Sequence, residues 1–279
     1  MQITLNQIKK IVDGNYLGDK TLLKKKIGQI SINSKEIRKD DLFIGIKGEK
    51  FDGDQFASSA IKKGAIAAIV SKDNKDITNR MIVENGREAL GKIAQYWKAQ
   101  SKIPLIAITG SNGKTTTKEM VGSIVASHLK SKKKLLITQG NFNKDIGLPL
   151  TLLSIQKIQK FAVVEMGMNH KGEISDLSNI AKPDVAVITN IAEAHIEFFD
   201  SKKAIAKAKS EIFEGLKKEG TAIINRDDEF YSLMKNAVKN KKIITFGLDK
   251  KSDVYPVKTL QGLSSIHSPK GLINIKLKL

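Results

Sequence analysis

The sequence predicts an α/β fold of two domains: a small N-terminal α/β domain and a central domain with a phosphate-binding loop and a mainly parallel sheet. Three observations lead to this prediction. Short apolar runs alternate with helical patterns, one run ends in a glycine turn that opens a helix, and 279 residues exceed the size of one typical domain. Residues 101–104 form the predicted boundary, so the domains are expected at 1–101 and 102–279.

The N-terminal domain is predicted from two buried strands and two helices. Residues 42–46 and 65–70 are apolar runs typical of strands, whereas 55–63 and 88–99 have helical patterns. Together these segments predict a small α/β unit.

The central domain is predicted from four further strands separated by helical patterns, at residues 161–165, 185–190, 221–225 and 243–246. Such alternation is typical of a parallel sheet with helices on both faces. Ligands of these sheets bind beyond the carboxyl ends of the strands. We therefore expect Gly110, Glu165, Asn190 and Asn225 at the ligand edge.

Residues 106–117 read Ile-Ala-Ile-Thr-Gly-Ser-Asn-Gly-Lys-Thr-Thr-Thr, a strand that passes through a glycine turn into a helix. Backbone N–H groups around Gly110 and Gly113 can point at a polyphosphate, and Lys114 and Thr115 suit phosphate oxygens and Mg²⁺. Where the general phosphate-loop pattern has its first glycine, this chain has Ile108, a shortening peculiar to a few families. The alternative is a simple glycine turn between strand and helix.

The amino-acid composition indicates which kinds of binding partner and which cellular compartment to expect. The net charge is +19, but only four of 48 basic residues are arginine, aromatics are 5%, and the lysines are scattered. We interpret the lysines as mostly solvated surface that attracts anionic nucleotides, with no nucleic-acid partner. No membrane span or signal peptide is found, which predicts a soluble cytoplasmic protein without membrane insertion. The lack of cysteine excludes disulfides and thiolate catalysis.

Two polar residues follow strands at the predicted ligand edge. Glu165 ends an apolar strand, where its carboxylate can bind the Mg²⁺ that accompanies nucleotide phosphates. The alternative is a glutamate that caps a helix or forms an ion pair. His195 lies just beyond the strand at 185–190, and the alternative for it is a solvent-exposed loop histidine.

Lys209 occupies an unusual place for a lysine. In a helix over 201–216 it shares one face with the apolar residues Ile205, Ile212, Phe213 and Leu216, whereas Lys207 points to the opposite side with Lys203 and Lys218. Burial lowers a lysine pKa and favours the neutral form, which can react with CO₂ to give a carbamate. The alternative is that Lys209 extends past its neighbours to water.

These residues belong to motifs that together resemble the Mur ligase family over nearly the whole chain. The motifs occupy residues 41–53, 109–119, 140–153, 165–174, 189–197, 206–212 and 225–228. The phosphate loop is common to Mur ligases and folylpolyglutamate synthases, while the motifs at 140–153 and 165–174 favour the family member that adds a dipeptide.

The resemblance implies roles for individual residues. ATP would be bound by Gly110, Ser111, Asn112, Gly113, Lys114, Thr115, Thr116, Asn225 and Asp228. One Mg²⁺ would be held by Thr115 and Glu165, and a second by His195 and carbamylated Lys209, so that Lys114, His195 and Lys209 serve catalysis. The UDP-substrate would be bound by Ser34, Lys35, Asn141 and Asn143.

The implied reaction joins D-alanyl-D-alanine to UDP-N-acetylmuramoyl-tripeptide with ATP and Mg²⁺, through an acyl phosphate, in a protein expected to be a monomer. The chain departs from the family pattern at Lys35, Asp54 and Lys144, where arginine, histidine and asparagine are common. Arginine binds in a bidentate way that lysine cannot, so Lys35 is expected to contact the UDP-substrate with a different geometry.

The family's third, carboxy-terminal domain is expected to be absent, with the central domain truncated near 271–279. Whether the chain is a fragment, a partner of a separately encoded domain or a true truncation stays open. Another Mur ligase, a folylpolyglutamate synthase relative and a catalytically incomplete nucleotide-binding fragment are the alternatives, besides a basic nucleic-acid-binding protein.

Overall fold

The structure, a computed structural model, describes residues 1–48, 51–193, 196–260 and 263–276. The chain divides into two compact units. The first contains Met1–Gln100 and Leu152–Ser154, and the second contains Ser101–Thr151 and Ile155–Leu279.

The first unit is built on a five-stranded sheet. Its strands are β1 (Asn15–Leu17), β2 (Ile30–Ser31), β3 (Leu42–Ile44), β4 (Ala67–Val70) and β5 (Arg80–Ile82), and its helices are α1 (Leu5–Val12), α2 (Ala57–Lys62) and α3 (Gly86–Ser101). The strand order is β1-β5-β4-β3-β2, with β1 antiparallel to β5 and the other pairs parallel.

The core of this unit forms because the predicted strands are continuous apolar runs. Phe43 on β3 and Ala68 on β4 are fully buried with Ala57 and Ala60 of α2. Both predicted strands and the helix at 88–99 are therefore confirmed. The segment 55–63 is a short 3-10 turn followed by α2.

The second unit contains a six-stranded sheet in which every pair is parallel. The strands are β6 (Leu105–Thr109), β7 (Leu135–Ile137), β8 (Phe161–Glu165), β9 (Val185–Ile188), β10 (Thr221–Asn225) and β11 (Lys242–Phe246). The helices are α4 (Lys114–His128), α5 (Gly147–Leu153), α6 (Glu173–Ala181), α7 (Lys202–Ser210) and α8 (Tyr231–Val238). The parallel sheet predicted for this part of the chain is confirmed.

The strand order β11-β10-β9-β6-β8-β7 places β6 between β8 and β9. Ile108, Val163 and Val187 pack together on these three strands and fix their register. Because parallel strands end at the same edge, the turn after β6 lies between Glu165 at the end of β8 and the segment after β9. This arrangement positions the site described below.

A second sheet follows β11. Its strands β12 (Tyr255–Leu260), β13 (Leu263–Ser268) and β14 (Gly271–Lys276) are antiparallel and paired in chain order. The strand predicted near the end of the chain is β14, but the separate antiparallel sheet is not predicted. The reason is the mixed polarity of β13, Leu-Ser-Ser-Ile-His-Ser, which contains no continuous apolar run.

Candidate phosphate-binding site

The turn between β6 and α4 is shaped by two glycines with positive φ. Gly110 has a φ of +150°, and Gly113, which precedes the first residue of α4, has a φ of +76°. No side chain caps the first turn of α4. The first turn of α4, with the positive end of the helix dipole, therefore faces the space beyond the sheet edge.

We expect Gly110→Ala to destabilise the second unit more than Gly113→Ala. A Cβ at Gly110 would lie 1.9 Å from Thr189 Oγ1, whereas a Cβ at Gly113 would meet no heavy atom within 4 Å. Gly113→Ala therefore measures backbone strain alone, about 1–2 kcal/mol for a left-handed residue. Urea unfolding of both variants tests this prediction, and equal losses of stability would contradict it.

The loop is held in place by the segment that follows β9. Ser111 N donates to Asn190 O at 2.9 Å, and Ser111 Oγ exchanges hydrogen bonds with the backbone of Ala192 at 2.8 and 2.9 Å. Asn112 N donates to Asn190 Oδ1 at 3.0 Å, and Thr189 Oγ1 donates to Asn112 O at 2.7 Å. These hydrogen bonds thus fix the loop conformation from one side.

Lys114 folds back over the loop that precedes it. Its Nζ donates to Gly110 O at 2.8 Å and to Ser111 O at 3.0 Å. Burial lowers the pKa of Lys114, and the nearby Glu165 carboxylate opposes this effect. The ammonium is therefore held within the curve of the loop, while Thr116 lies on the exposed side of the first turn of α4.

Glu165 meets Thr115 and Asn143 on the opposite side of the loop. Only 3% of Glu165 is exposed, and its Oε2 accepts from Thr115 Oγ1 at 2.9 Å while its Oε1 accepts from Asn143 Nδ2 at 2.8 Å. The carboxylate is thus bonded to the side chains of two neutral residues. Asn141 is exposed, and its carbonyl accepts from Asn143 N at 2.8 Å.

Lys209 is buried, as its place in the helical pattern predicts. Only 2% of the residue is exposed, and Lys207 is exposed. The predicted helix over 201–216 is shorter in the structure, because α7 ends at Ser210 and a 3-10 turn follows over Glu211–Phe213. The apolar residues Ile205, Ile212, Phe213 and Leu216 are nevertheless buried. The alternative that Lys209 extends to water is therefore wrong. Burial, with a smaller contribution from the positive charge of Lys114, lowers the pKa of Lys209 to about 7.

Asn225 and Asp228 lie at the same sheet edge, beyond β10. Asn225 Nδ2 donates to Thr189 O at 3.2 Å, and Asp228 Oδ2 accepts from Ile191 N at 2.7 Å. Both residues thus contact the segment that holds the phosphate loop. Their assignment to adenine stays a prediction.

The remaining predicted residues are His195, Ser34 and Lys35. His195 lies outside the described residues. Ser34 and Lys35 belong to the first unit, in the turn after β2, where Asn33 Oδ1 accepts from Lys35 N at 3.0 Å. In the part of the chain that the structure describes, no group of three His, Cys, Asp or Glu side chains could hold a metal ion.

Two buried polar residues beside the loop, Lys118 and Thr138, are not among those that the sequence singles out. Lys118 Nζ donates to Thr138 O at 2.8 Å, and Thr138 Oγ1 accepts from Glu165 N at 3.1 Å. One sequence signal points to Lys118: it lies four residues after Lys114, and therefore on the same helix face.

The parallel sheet and the glycine loop with its Lys-Thr pair define an α/β protein of the phosphate-loop class. Two family models identify the class more closely. The Mur ligase middle domain matches residues 108–279, and the catalytic domain of the Mur ligase family matches residues 26–98. The chain belongs to the Mur ligase family.

Individual relatives are dipeptide-adding members of that family. The chain is 36% identical over 279 residues to the UDP-N-acetylmuramoyl-tripeptide–D-alanyl-D-alanine ligase of Haemophilus influenzae, covering 99% of this chain and 60% of that protein. It is 32% identical over 284 residues to the enzyme of the same name from Escherichia coli, covering all of this chain and 61% of that protein.

Solved structures that are similar to this chain include proteins named MurF. MurF from Acinetobacter baumannii superposes with a TM-score of 0.89 at 35% identity, covering 98% of this chain and 60% of that one. MurF ligase from Thermotoga maritima in complex with ADP has a TM-score of 0.78 at 32% identity, covering 89% and 57%. The chain thus spans about 60% of the length of the curated relatives it matches.

None of the helices in the described ranges has the length and apolar character that crossing a bilayer requires.

Proposed function

We propose that this chain supplies the ATP- and UDP-substrate-binding part of a ligase that joins D-alanyl-D-alanine to UDP-N-acetylmuramoyl-tripeptide. The observation that carries the proposal is the convergence of Lys114, Thr115 and Glu165 around one loop at the centre of the sheet edge. The relatives at 32–36% identity that are named for this reaction, and the T. maritima relative solved with ADP, support the substrates and the nucleotide.

The phosphates of ATP would lie in the turn at 110–113. Backbone N–H groups of the turn and the N-terminus of α4 provide donors, and Lys114 provides the positive charge. In the structure, Lys114 Nζ is bonded to two carbonyls of the loop, from which a short movement would bring it to a phosphate oxygen. Asn225 and Asp228 would lie toward the adenine.

Mg²⁺ fits the residues on the other side of the loop. Thr115 Oγ1 and the Glu165 carboxylate are oxygen ligands, which Mg²⁺ prefers, and the buried carboxylate accepts hydrogen bonds only from the neutral Thr115 and Asn143 among the described residues. A cation would offset this buried negative charge. When bound, Mg²⁺ neutralises charge on the phosphate oxygens.

Lys209 and His195 would serve a second metal position. The pKa of about 7 leaves a large fraction of Lys209 neutral at physiological pH. Its amine nitrogen can then form a bond to the carbon of CO₂ with release of one proton, and the resulting carbamate is an oxygen ligand. We propose that Lys209 carries this carbamate.

The proposed reaction has two steps. The terminal carboxylate of the tripeptide attacks the γ-phosphorus of ATP, which gives an acyl phosphate and ADP. The amine of D-alanyl-D-alanine then attacks the acyl carbon, phosphate leaves with the bonding electrons, and the amine loses a proton. Lys114 stabilises the negative charge on the transferring phosphoryl group, a task that charged donors perform in phosphoryl transfer.

The residues that would bind the UDP-substrate are Ser34, Lys35, Asn141 and Asn143. We further propose that the protein acts as a monomer in the cytoplasm, where its nucleotide substrates occur.

The test is phosphate release from Mg-ATP with UDP-N-acetylmuramoyl-tripeptide, with and without D-alanyl-D-alanine, together with calorimetric binding of ADP and of the UDP-tripeptide. Release that depends on the dipeptide is the expected result. Binding of both nucleotides without release would restrict the chain to a binding function, and absence of both binding events would overturn the proposal.

A further inference from the structure

The buried ammonium of Lys118 is not used by the reaction described above. Lys118 follows Lys114 by four residues and Thr115 by three on α4, so the three side chains lie on neighbouring positions of one side of the helix. Only 2% of Lys118 is exposed. Because burial of an ammonium is costly without hydrogen-bond partners, the partners of Lys118 are informative.

Lys118 Nζ donates to Thr138 O at 2.8 Å and lies 3.0 Å from Glu119 Oε1, whose side chain is 63% exposed. Thr138 is the first residue after β7. Its N donates to Val163 O at 3.1 Å, and its Oγ1 accepts from Glu165 N at 3.1 Å. Thr138 therefore joins the end of β7 to the end of β8, and Lys118 binds the carbonyl of the same residue.

These contacts close a ring. From Lys118 the hydrogen bonds lead to Thr138, from Thr138 to Glu165, and from Glu165 to Thr115, which lies one helical turn before Lys118. The ring has two attachments to α4, at Lys118 and Thr115. Loss of the Lys118 attachment would leave the Thr138 carbonyl without this donor and free the ends of β7 and β8 to move relative to α4.

We propose that Lys118 is a positioning residue. Its bond to the Thr138 carbonyl sets the position of the Glu165 carboxylate relative to the Thr115 hydroxyl, and thereby the affinity for the Mg²⁺ that accompanies a bound nucleotide. The inference rests on the proposed function, because it requires a magnesium nucleotide at this loop.

The test is calorimetric titration of the full chain with ADP, once with Mg²⁺ and once with EDTA. In Lys118→Met, which keeps the length of the side chain without the ammonium, the gain in ADP affinity caused by Mg²⁺ is expected to fall about tenfold, while affinity in EDTA changes less than about twofold. Glu119→Gln is the matched control, because it removes the exposed partner of Lys118 and keeps the Thr138 bond. It is expected to behave as the wild type.

A second pair of variants tests the next contact of the ring. Thr138→Val removes the acceptor for Glu165 N and is expected to reproduce the loss seen in Lys118→Met. Thr138→Ser keeps the hydroxyl and is expected to retain the Mg²⁺ effect. If Lys118→Met does not fold, this pair still decides the question.

The outcomes distinguish a failure of the proposed function from a failure of the positioning role of Lys118. A wild-type chain that binds no ADP would overturn the proposed function. A wild-type chain with an Mg²⁺ effect that Lys118→Met and Thr138→Val retain in full would overturn only the positioning role. Equal losses of affinity in Mg²⁺ and in EDTA would also overturn it, because they would indicate a general distortion of the loop.

Discussion

Lys114→Ala is expected to weaken ADP binding roughly 10- to 100-fold, because a hydrogen bond from a charged group contributes about 1.5–3 kcal/mol. Where the chain releases phosphate, the rate should fall further, by about 10²–10³-fold, since Lys114 would face the charge that develops during transfer in the proposed reaction. Isothermal titration with ADP and a phosphate-release assay measure the two effects.

The matched control for this change is Lys132→Ala, which removes an exposed lysine from the same unit and thus the same net charge. If both variants bind ADP equally, the effect of Lys114 is general electrostatic attraction and not contact with phosphate. Thermal unfolding without ligand serves as a second control, because Lys114 also bonds to the carbonyls of Gly110 and Ser111.

Lys209→Met is expected to stabilise the protein at low pH by an amount that decreases as the pH rises. A lysine pKa of 10.5 in the unfolded chain and about 7 in the folded chain corresponds to a penalty on the order of 5 kcal/mol. Methionine fills a similar volume without a charge, so it removes this penalty.

The sign follows from the protons bound in each state. Below pH 7 Lys209 is protonated in both the folded and unfolded chains, and the full penalty opposes folding. Between about pH 7 and 10.5 only the unfolded chain keeps the proton, so the stability of the wild type rises with pH. The advantage of Lys209→Met is therefore largest near pH 6 and declines to less than about half by pH 9.

Urea unfolding at pH 6 and pH 9 in CO₂-depleted buffer checks this expectation, with Lys207→Met as the control. Lys207 lies on the exposed side of the same helix, so its replacement should show little dependence on pH. A pH-independent difference between Lys209→Met and the wild type would contradict the lowered pKa.

The same variant connects stability to the proposed chemistry. Carbamylation requires the neutral amine, so ¹³CO₂ should give a carbamate signal in the NMR spectrum of the wild type and none at this position in Lys209→Met. The burial of Lys209 thus has two expected effects. It opposes folding at low pH, and it favours the neutral amine that carbamylation requires.

The parallel sheet was predictable from sequence where strands are continuous apolar runs. Phe161–Glu165 and Thr221–Asn225 have the predicted bounds, because burial on both faces leaves little room for polar residues. The strands β12 and β13 were not predictable in this way. Their polar and apolar residues are mixed, and their pairing depends on contacts that no local pattern specifies.

The candidate site was predictable where a residue type conflicts with its position. Lys209 interrupts an apolar helical pattern, and Glu165 ends an apolar strand. The sequence pattern therefore indicates both as candidate functional residues. Lys118 belongs to a helix with weak amphipathic character, in which a lysine suggests no burial by itself. Its role depends on the Thr138 carbonyl, 20 residues away in the chain, and only the folded structure brings the two together.

The segment Thr189–Ala192 is hydrogen-bonded on one side to Ser111 and Asn112 and on the other to Asn225 and Asp228. These two sides correspond to opposite ends of a nucleotide in the proposed mode of binding. In that mode of binding, these four residues would set the distance between the phosphates and the base. A redesign of nucleotide specificity would have to preserve both the length of this segment and the side chains of Thr189 and Asn190 that bond to Asn112.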